Sequence, residues 1–188
     1  MQCPYCQTLQ QAAASECPAC RITFPRTSAL VGALPRLAPV VADTTRSLSA
    51  AEQGKLKARI EKMQRRFPQL VLQVVMHQFP NEHPFSMHVF WLFNAGNFAG
   101  DGRRGKDNHA LLIALDPTRG ESAIILGYGL ETFIKTEALD HLLELASPAW
   151  EHQRWADGLS NILDGLDQLI ESVAVPAEAA PGARDTEF

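Results

Sequence analysis

Residues Asn108–Glu131 read NHALLIALDPTRGESAIILGYGLE and hold two short apolar runs, Ala110–Leu115 and Ala123–Leu126. Runs of this length are too short for a helix that crosses a core, and they are typical of strands buried on both faces. Asp116–Gly120 lies between them, and its proline and glycine suit a turn, because one presets φ and the other tolerates positive φ. The segment therefore predicts a β-hairpin.

The two outer ends of a hairpin lie side by side. The loop Gly96–Asn108 should therefore meet the exit segment Gly127–Glu131, and we expect a cleft there. The loop reads GNFAGDGRRGKDN, which nearly matches two glycine-rich phosphate-binding motifs. Both motifs need a preceding strand and a following helix, whose N-terminal amides hold the phosphate. Here a helix is expected before the loop and a strand after it, so we assign neither motif.

The first twenty residues contain two Cys-x-x-Cys pairs, Cys3/Cys6 and Cys17/Cys20, separated by a short segment. Four thiolates in two such pairs can surround one tetrahedral zinc ion. A module of this size buries too little apolar surface to fold unaided, so metal binding would supply its folding free energy. The spacing predicts a structural zinc ribbon with these four cysteines as ligands.

Two other interpretations of the cysteines remain open. The tetrapeptide Cys3-Pro4-Tyr5-Cys6 is that of glutaredoxin-like redox sites, although such sites have a strand before the motif and a helix after it. Two disulfides are the other alternative, and they suit an oxidising compartment. The segment resembles short zinc ribbons at the start of many prokaryotic proteins, but Gln7 and Arg21 stand where glycine is usual.

The net charge of −4 conceals an uneven distribution along the chain. Residues 1–66 contain ten Lys and Arg against four Asp and Glu, whereas residues 67–188 contain seven against seventeen. The front part could therefore contact an acidic surface. The first thirty residues show no secretory signal, and no apolar run is long enough to span a membrane. We expect a cytoplasmic protein, a compartment in which paired cysteines favour metal over disulfides.

Ser49-Ala50-Ala51-Glu52 is a capping box that opens a helix ending near Arg66. The buried face of this helix should consist of residues at helical spacing: Leu56, Ile60, Met63 and Phe67. A basic stripe runs beside it: Lys55, Arg59, Lys62 and Arg66. The stripe is either a solvated face or a docking surface for an acidic partner or nucleic acid. Since no aromatic residues interleave with it, nucleic acid is the weaker alternative.

The segments that follow predict the remaining core. Leu70–Met76 is rich in β-branched residues and predicts a strand, and a shorter strand is expected near Leu37–Val41. Pro84 opens a helix over Phe85–Phe93 that is apolar almost all round. The nearby histidines fit no zinc motif by their spacing: His77, His83 and His88.

After the hairpin, the periodicity predicts three helices. Leu130–Ile134 and Glu137–Leu145 form a pair broken near Lys135, and Pro148 should end the second of them. The last helix should run over Trp150–Val173. Its apolar stripe is clear, with acidic residues outside it: Asp157, Asp164, Asp167 and Glu171.

Four motifs in order resemble the TPM domain family, a group of repair-phosphatase-like domains. The matching segments cover roughly residues 40–173. They are Leu48–Glu52, Lys106-Asp107-Asn108, Gly127–Glu131, and, as the two parts of one closing-helix motif, Pro148-Ala149-Trp150 with Gly158-Leu159. The resemblance implies an α/β fold with a small mixed β-sheet sandwiched by helices. The family differs at two places, since it has glycine at the position of His109 and usually a Thr-Asp pair where Lys135-Thr136-Glu137 stands.

With the resemblance, the chain divides into four parts. These are a zinc ribbon at 1–24, a linker at 25–46, the TPM-like α/β domain at 47–173 and a disordered tail at 174–188. The resemblance also implies acid-phosphatase-like activity in some members, calcium binding in others, and accessory roles in membrane-protein repair or assembly.

The expected cleft suggests a divalent-ion site of calcium or magnesium, because carboxylate oxygens are ligands for hard cations. Its candidate ligands are Asp101, Asp107 and Glu131, with Asp43 as a further candidate. The same Asp107 and Glu131 are the catalytic candidates if such an ion polarises a phosphoryl group. The preferred function is a binding or accessory module with a protein partner. The alternatives are a metal-dependent phosphomonoesterase and, more weakly, a nucleic-acid or ribosome-associated adaptor.

Overall fold

The structure is a computed structural model of the 188-residue chain, and it describes residues 2–11, 14–96 and 108–174, with the side chains of 173 and 174 left out. The described elements, in chain order, are α1 (Phe24–Val31), β1 (Val41–Asp43), α2 (Ala50–Arg66), β2 (Val71–Met76), α3 (Phe85–Ala95), β3 (Ala110–Asp116), β4 (Glu121–Leu126), α4 (Tyr128–Glu131), α5 (Thr136–Glu151) and α6 (Trp155–Ala174).

The described strands form one mixed sheet in the order β1-β2-β3-β4. The first three are parallel, and β4 returns antiparallel to β3 with Ile113 opposite Ile124. The predicted hairpin is therefore confirmed, and Gly120 in its turn has φ 64°. The burial prediction holds for β3, which is buried at every residue, but it is wrong for β4. Because β4 lies at the edge of the described sheet, most of its residues are only half-buried.

Helices cover both faces of the sheet, as the resemblance implies. Alternate residues of a strand point to opposite faces. Leu111 and Ile113 of β3 accordingly pack in a cluster with α2, α5 and α6. Leu112 packs on the other face with α3, where Val31 of α1 also makes contact. The result is an α/β sandwich whose two inner strands, β2 and β3, are buried between the two clusters.

The capping box predicted for α2 is present. The Ser49 hydroxyl accepts from the Glu52 amide, and the Glu52 carboxylate accepts from the Ser49 amide at 2.7 Å. The helix ends at Arg66, as expected. Leu56 and Ile60 lie on its buried face, so local sequence signals fix both the position and the orientation of this helix.

The predicted linker, residues 25–46, contains regular structure. Helix α1 begins after Thr23, whose hydroxyl accepts from the Arg26 amide, and Pro25 lies in its first turn. Strand β1 covers Val41–Asp43, further along the chain than the strand expected near Leu37–Val41. The four-part domain division stays a prediction, and residues 175–188 of the expected tail lie outside the described residues.

The prediction that Pro148 ends a helix is wrong, because α5 continues through it to Glu151. The last helix consequently begins at Trp155 instead of Trp150. Between them the chain turns at Gln153, which has φ 57°. The Trp150 indole donates to the carbonyl of Trp155 at 3.3 Å. Trp150 also fills the space beside Gly158, where a Cβ would overlap the indole ring. This packing holds the last turn of α5 despite the proline.

Candidate metal centre and hairpin end

The two cysteine pairs form two copies of one backbone turn. In the first, the Cys3 amide donates to the carbonyl of Thr8 and the Gln7 amide donates to that of Cys3, both at 2.9 Å. In the second, the Cys17 amide donates to the carbonyl of Ile22 at 3.0 Å and the Arg21 amide to that of Cys17 at 2.9 Å. Each turn therefore closes a short bridged loop with its two cysteines on the inside.

Both turns place a non-glycine residue in the left-handed region. Gln7 has φ 62° and Arg21 has φ 58°. These are the positions at which glycine is usual in zinc ribbons, and a side chain there is unfavourable by about 1–2 kcal/mol. The missing glycines therefore do not prevent the turn geometry, although they lower its intrinsic stability.

The four sulfur atoms converge on one point. The Sγ atoms of Cys3 and Cys20 are 3.7 Å apart, as are those of Cys6 and Cys17. All four lie within 4.8 Å of one another, and the cysteines are free. Metal–sulfur bonds of about 2.3 Å in a tetrahedron require sulfur separations of about 3.8 Å, whereas a disulfide requires about 2 Å. The four cysteines can thus hold a metal ion.

The thiols of this cluster differ in acidity. A hydrogen bond between the Cys6 thiol and the Thr8 hydroxyl, 3.3 Å long, is the largest cause that lowers the pKa of Cys6 to about 6. Burial instead raises the pKa of Cys20 to about 12. A full set of thiolates is unfavourable at this point without a cation, because the charges are close together and partly removed from water. A bound metal would supply the compensating charge.

The cysteine turn contacts the α/β domain at the start of α3. The Ser86 hydroxyl donates to the carbonyl of Pro4 at 2.6 Å, and the Gln7 amide side chain donates to the Ser86 hydroxyl at 3.0 Å. The rings of Phe24 and Phe90 meet edge to face, with centroids 6.5 Å apart. The metal candidate is thereby held against one face of the sandwich.

The predicted meeting of the two hairpin ends is seen for the described residues. The Gly129 amide donates to the carbonyl of Asn108 at 3.3 Å, and Asn108 has φ 49°. A Cβ at Gly127 would overlap both the carbonyl and the side chain of Asn108. Gly127 is therefore required for this close approach of two backbone segments.

The ion-binding candidates are not brought together in the described residues. Asp101 and Asp107 lie outside them, as do the basic residues of the same loop. Glu131 is exposed on the one-turn helix α4. The only group of metal-ligating side chains found among residues 2–11, 14–96 and 108–174 is the cysteine cluster. The divalent-ion site therefore stays a prediction.

Asp43 cannot complete such a site with Glu131. Asp43 ends β1 in register with Met76, at the carboxyl end of the parallel strands. Glu131 follows β4, whose last residue pairs with Leu111 at the other end of β3. The Asp43 carboxylate instead accepts from the amide of Thr45 at 2.9 Å and from that of Leu48 at 2.8 Å. It orders the connection into α2.

Asp116, predicted from the sequence only as a residue of the hairpin turn, is a further carboxylate with a structural role. It is completely buried, and it accepts from the amides of Phe79 at 2.7 Å and Thr118 at 2.9 Å. Burial opposes its charge, but hydrogen bonds from Thr118, Phe79 and Arg119 outweigh that effect and lower the pKa of Asp116. Its role is to tie the loop after β2 to the hairpin turn.

The concave feature at the hairpin end is mainly apolar. A cavity of about 160 Å³ lies there, and its lining includes Phe67, Leu70, Leu130, Ile134 and Ile170. Phe133, which also lines it, is 57% exposed, and Tyr128, at the start of the helix that contains Leu130, is 61% exposed. The cavity is smaller than the ~300–1,000 Å³ of small-molecule sites, and it suits a single apolar side chain better than a substrate.

The chain was compared with known families and proteins. The family model described as TPM domain matches residues 41–169. A solution structure of an N-terminal domain from P. gingivalis superposes with a TM-score of 0.56 at 18% identity, covering 73% of this chain and 94% of that one. An N-terminal domain from Corynebacterium glutamicum gives a TM-score of 0.52 at 18% identity, covering 84% and 95%.

Because both solved structures are only 18% identical to this chain, their similarity supports the fold and says nothing about the activity. No curated protein sequence matches the chain. None of the helices that the structure describes is long and apolar enough to cross a membrane. The family match covers most of the chain, from the start of β1 into α6. The chain belongs to the TPM domain family.

Proposed function

We propose that the protein is a binding or accessory module, in which a TPM domain carries a ribbon held by one structural zinc ion. The observation that carries the zinc assignment is the closed set of four sulfurs. Structural zinc sites have four protein ligands, whereas catalytic sites keep one position open for water or substrate. Cys3, Cys6, Cys17 and Cys20 would fill every position, so the ion would support folding instead of reacting.

The donor set favours zinc but also suits iron, since both accept four tetrahedral thiolates. We also propose that the protein is cytoplasmic, because paired cysteines in a reducing compartment favour metal over disulfides. Plasma mass spectrometry of protein purified without chelators should find about one zinc per chain. Cys17→Ser should lose it, and the matched control Ser15→Ala should retain it. Iron in place of zinc, or no metal after anaerobic purification, would overturn the assignment.

A binding role is supported by the surface at the hairpin end. Phe133 is exposed at the lining of an apolar cavity, and Tyr128 of the adjoining helix α4 is exposed as well. Exposed apolar surface of this kind marks interaction sites, and aromatic anchors contribute much of the affinity in protein interfaces. We therefore favour protein interaction over catalysis for this end of the domain.

A second candidate is a metal-dependent phosphomonoesterase, which the word phosphatase in the name of the matched family model supports. Glu131 with Asp107 and Asp101 would hold a divalent ion that polarises the phosphoryl group. Release of phosphate from a chromogenic phosphomonoester should then require calcium or magnesium. Asp107→Asn should abolish turnover without changing the melting temperature, while Asp140→Asn on exposed α5 should not. Absence of turnover with either ion would remove this candidate.

A further inference from the structure

Helices α2 and α6 run in the same direction along one face of the domain, and charged pairs connect them. Arg59 pairs with Asp164. Arg66 pairs with Asp167 at 2.6 Å and with Glu171 at 3.6 Å. Part of the basic stripe predicted from the sequence is thus used within the molecule. Exposed pairs of this kind contribute little stability, about 0–1 kcal/mol each, so they remain open to exchange with other charges.

A groove of about 780 Å³ follows this seam. Leu56 and Met63 of α2 are buried and contribute apolar atoms to its lining, and Ser160 of α6 lies on the opposite side. The cationic side chains that line it all come from α2: Lys55, Arg59, Lys62, Arg65 and Arg66.

Three of these cations have no ion pair or hydrogen bond within the described residues. Lys55, Lys62 and Arg65 are exposed at the edge of the groove. The stripe from Lys55 to Arg66 extends for about 16 Å along the helix, which is about three turns. Lys55 interacts electrostatically with Glu52 of the capping box, whereas Lys62 and Arg65 have no charged partner among the described residues. The groove therefore presents positive charge along a length that matches a short helical segment.

We infer that the α2–α6 groove, defined by these lining residues, docks an acidic amphipathic helical segment of a partner protein. Carboxylates at i, i+4, i+7 and i+11 of such a segment would face the stripe. Its apolar residues would lie against the exposed Ala58 and the methylene stems of the cationic side chains. This inference rests on the proposed role as a binding module and names the class of partner.

The charges of α6 argue against nucleic acid as the occupant. Asp167 lines the groove, and Asp164 and Glu171 lie beside it. A continuous row of phosphates would meet these carboxylates, whereas a helix with separated acidic residues can avoid them. The lining also contains no aromatic side chain on which a base could stack. A folded acidic segment of a protein fits both observations.

The test uses a fluorescein-labelled, alanine-rich peptide of about 18 residues with leucine on one face and glutamate at the four stated positions. Fluorescence anisotropy with the full-length protein should show binding that weakens as salt rises. The double variant Lys55→Glu/Lys62→Glu should weaken it at least about tenfold. The control Lys57→Glu should change it less than about twofold, because Lys57 does not line the groove and faces Glu61.

Several outcomes would overturn the inference. These are equal binding of a peptide with glutamine in place of glutamate, and equal loss in Lys57→Glu. Tighter binding of a single-stranded oligonucleotide or of anionic vesicles that compete with the peptide would assign the groove to a different partner. Salt-sensitive self-association in sedimentation, abolished by the double variant, would point to a second copy of the chain. None of these results bears on the zinc content, so this inference and the zinc proposal fail independently.

Discussion

The cysteine ribbon, meaning the described residues from 2 to 23, and the α/β domain from β1 to α6 differ in what they bury. The buried apolar cluster of the ribbon consists of Cys3, Cys17 and Ile22, with Cys6 and Cys20 at its edge. The α/β domain instead holds two extensive clusters on the two faces of its sheet. A core as small as that of the ribbon cannot offset the conformational entropy of folding. The two regions should therefore respond differently to metal removal and to core substitutions.

The largest effect of a single side chain is expected in the α/β domain. Leu112 is completely buried in the middle of β3. Leu112→Ala should lower the free energy of unfolding by about 2–5 kcal/mol, because it leaves a cavity between the sheet and α3. Urea denaturation followed by circular dichroism would measure the change. Leu145→Ala, at a site 48% exposed, should change it by less than about 0.5 kcal/mol.

Measuring the zinc content of the same samples would show whether the ribbon and the α/β domain are stabilised independently. Leu112→Ala should keep its metal under native conditions, since the ribbon ligands are all local in sequence. A Leu112→Ala protein that loses its metal while still folded would show that the two regions form one cooperative unit.

A smaller effect is expected at Asp116. In Asp116→Asn an NH₂ group replaces one carboxylate oxygen. In one orientation this group faces the amide of Phe79, and in the other the bonds from Thr118 are lost. The free energy of unfolding at pH 7 should fall by about 1–3 kcal/mol.

The pH dependence of this effect follows from the lowered pKa of Asp116. A carboxyl with a depressed pKa stabilises the folded state fully above its unfolded pKa, about 3.9, and the stabilisation is lost as pH falls through the folded pKa. The difference between wild type and Asp116→Asn should hence shrink below about pH 4. A constant difference from pH 7 to pH 3, or the same effect in Asp140→Asn, would contradict this assignment.

The smallest effect is expected at the contact between the two regions. Ser86→Ala removes the hydroxyl that bonds to Pro4 and Gln7. Water can replace the hydroxyl at this part-exposed contact, so the total loss should be about 0.5–1.5 kcal/mol, seen as faster amide exchange in the ribbon without a change in zinc content. Ser172→Ala, whose hydroxyl donates within α6, is the control. Unchanged exchange at Cys3–Thr8 would mean that this contact does not hold the ribbon.

The features that the sequence predicted correctly depend on neighbours in the chain. The β3–β4 hairpin follows from a Pro–Gly turn between two apolar runs. The start of α2 follows from Ser49 and Glu52, which meet because they are three residues apart. The grouping of the four cysteines follows from the spacing within and between the two Cys-x-x-Cys pairs.

The features that were missed depend on partners distant in sequence. Passage of α5 through Pro148 depends on Trp150 packing beside Gly158, and neither residue signals this alone. The pairing of Arg59 with Asp164 joins two helices whose faces can only be matched once both are placed. The role of Asp116 likewise depends on the amide of Phe79, which lies in the loop after β2 and is distant from Asp116 in sequence. Single-helix periodicity contains no information on such pairings.

The central claim is that the ribbon is folded by its metal while the α/β domain is not. The most direct test is a ¹⁵N–¹H correlation spectrum of the full chain before and after metal removal by a strong chelator. Signals from the ribbon should collapse to the narrow range of unfolded chain, those from β2, β3 and β4 should remain dispersed, and added zinc should restore the original spectrum. Two results would contradict the claim: ribbon signals that stay dispersed after the metal is removed, or an α/β domain that unfolds together with the ribbon.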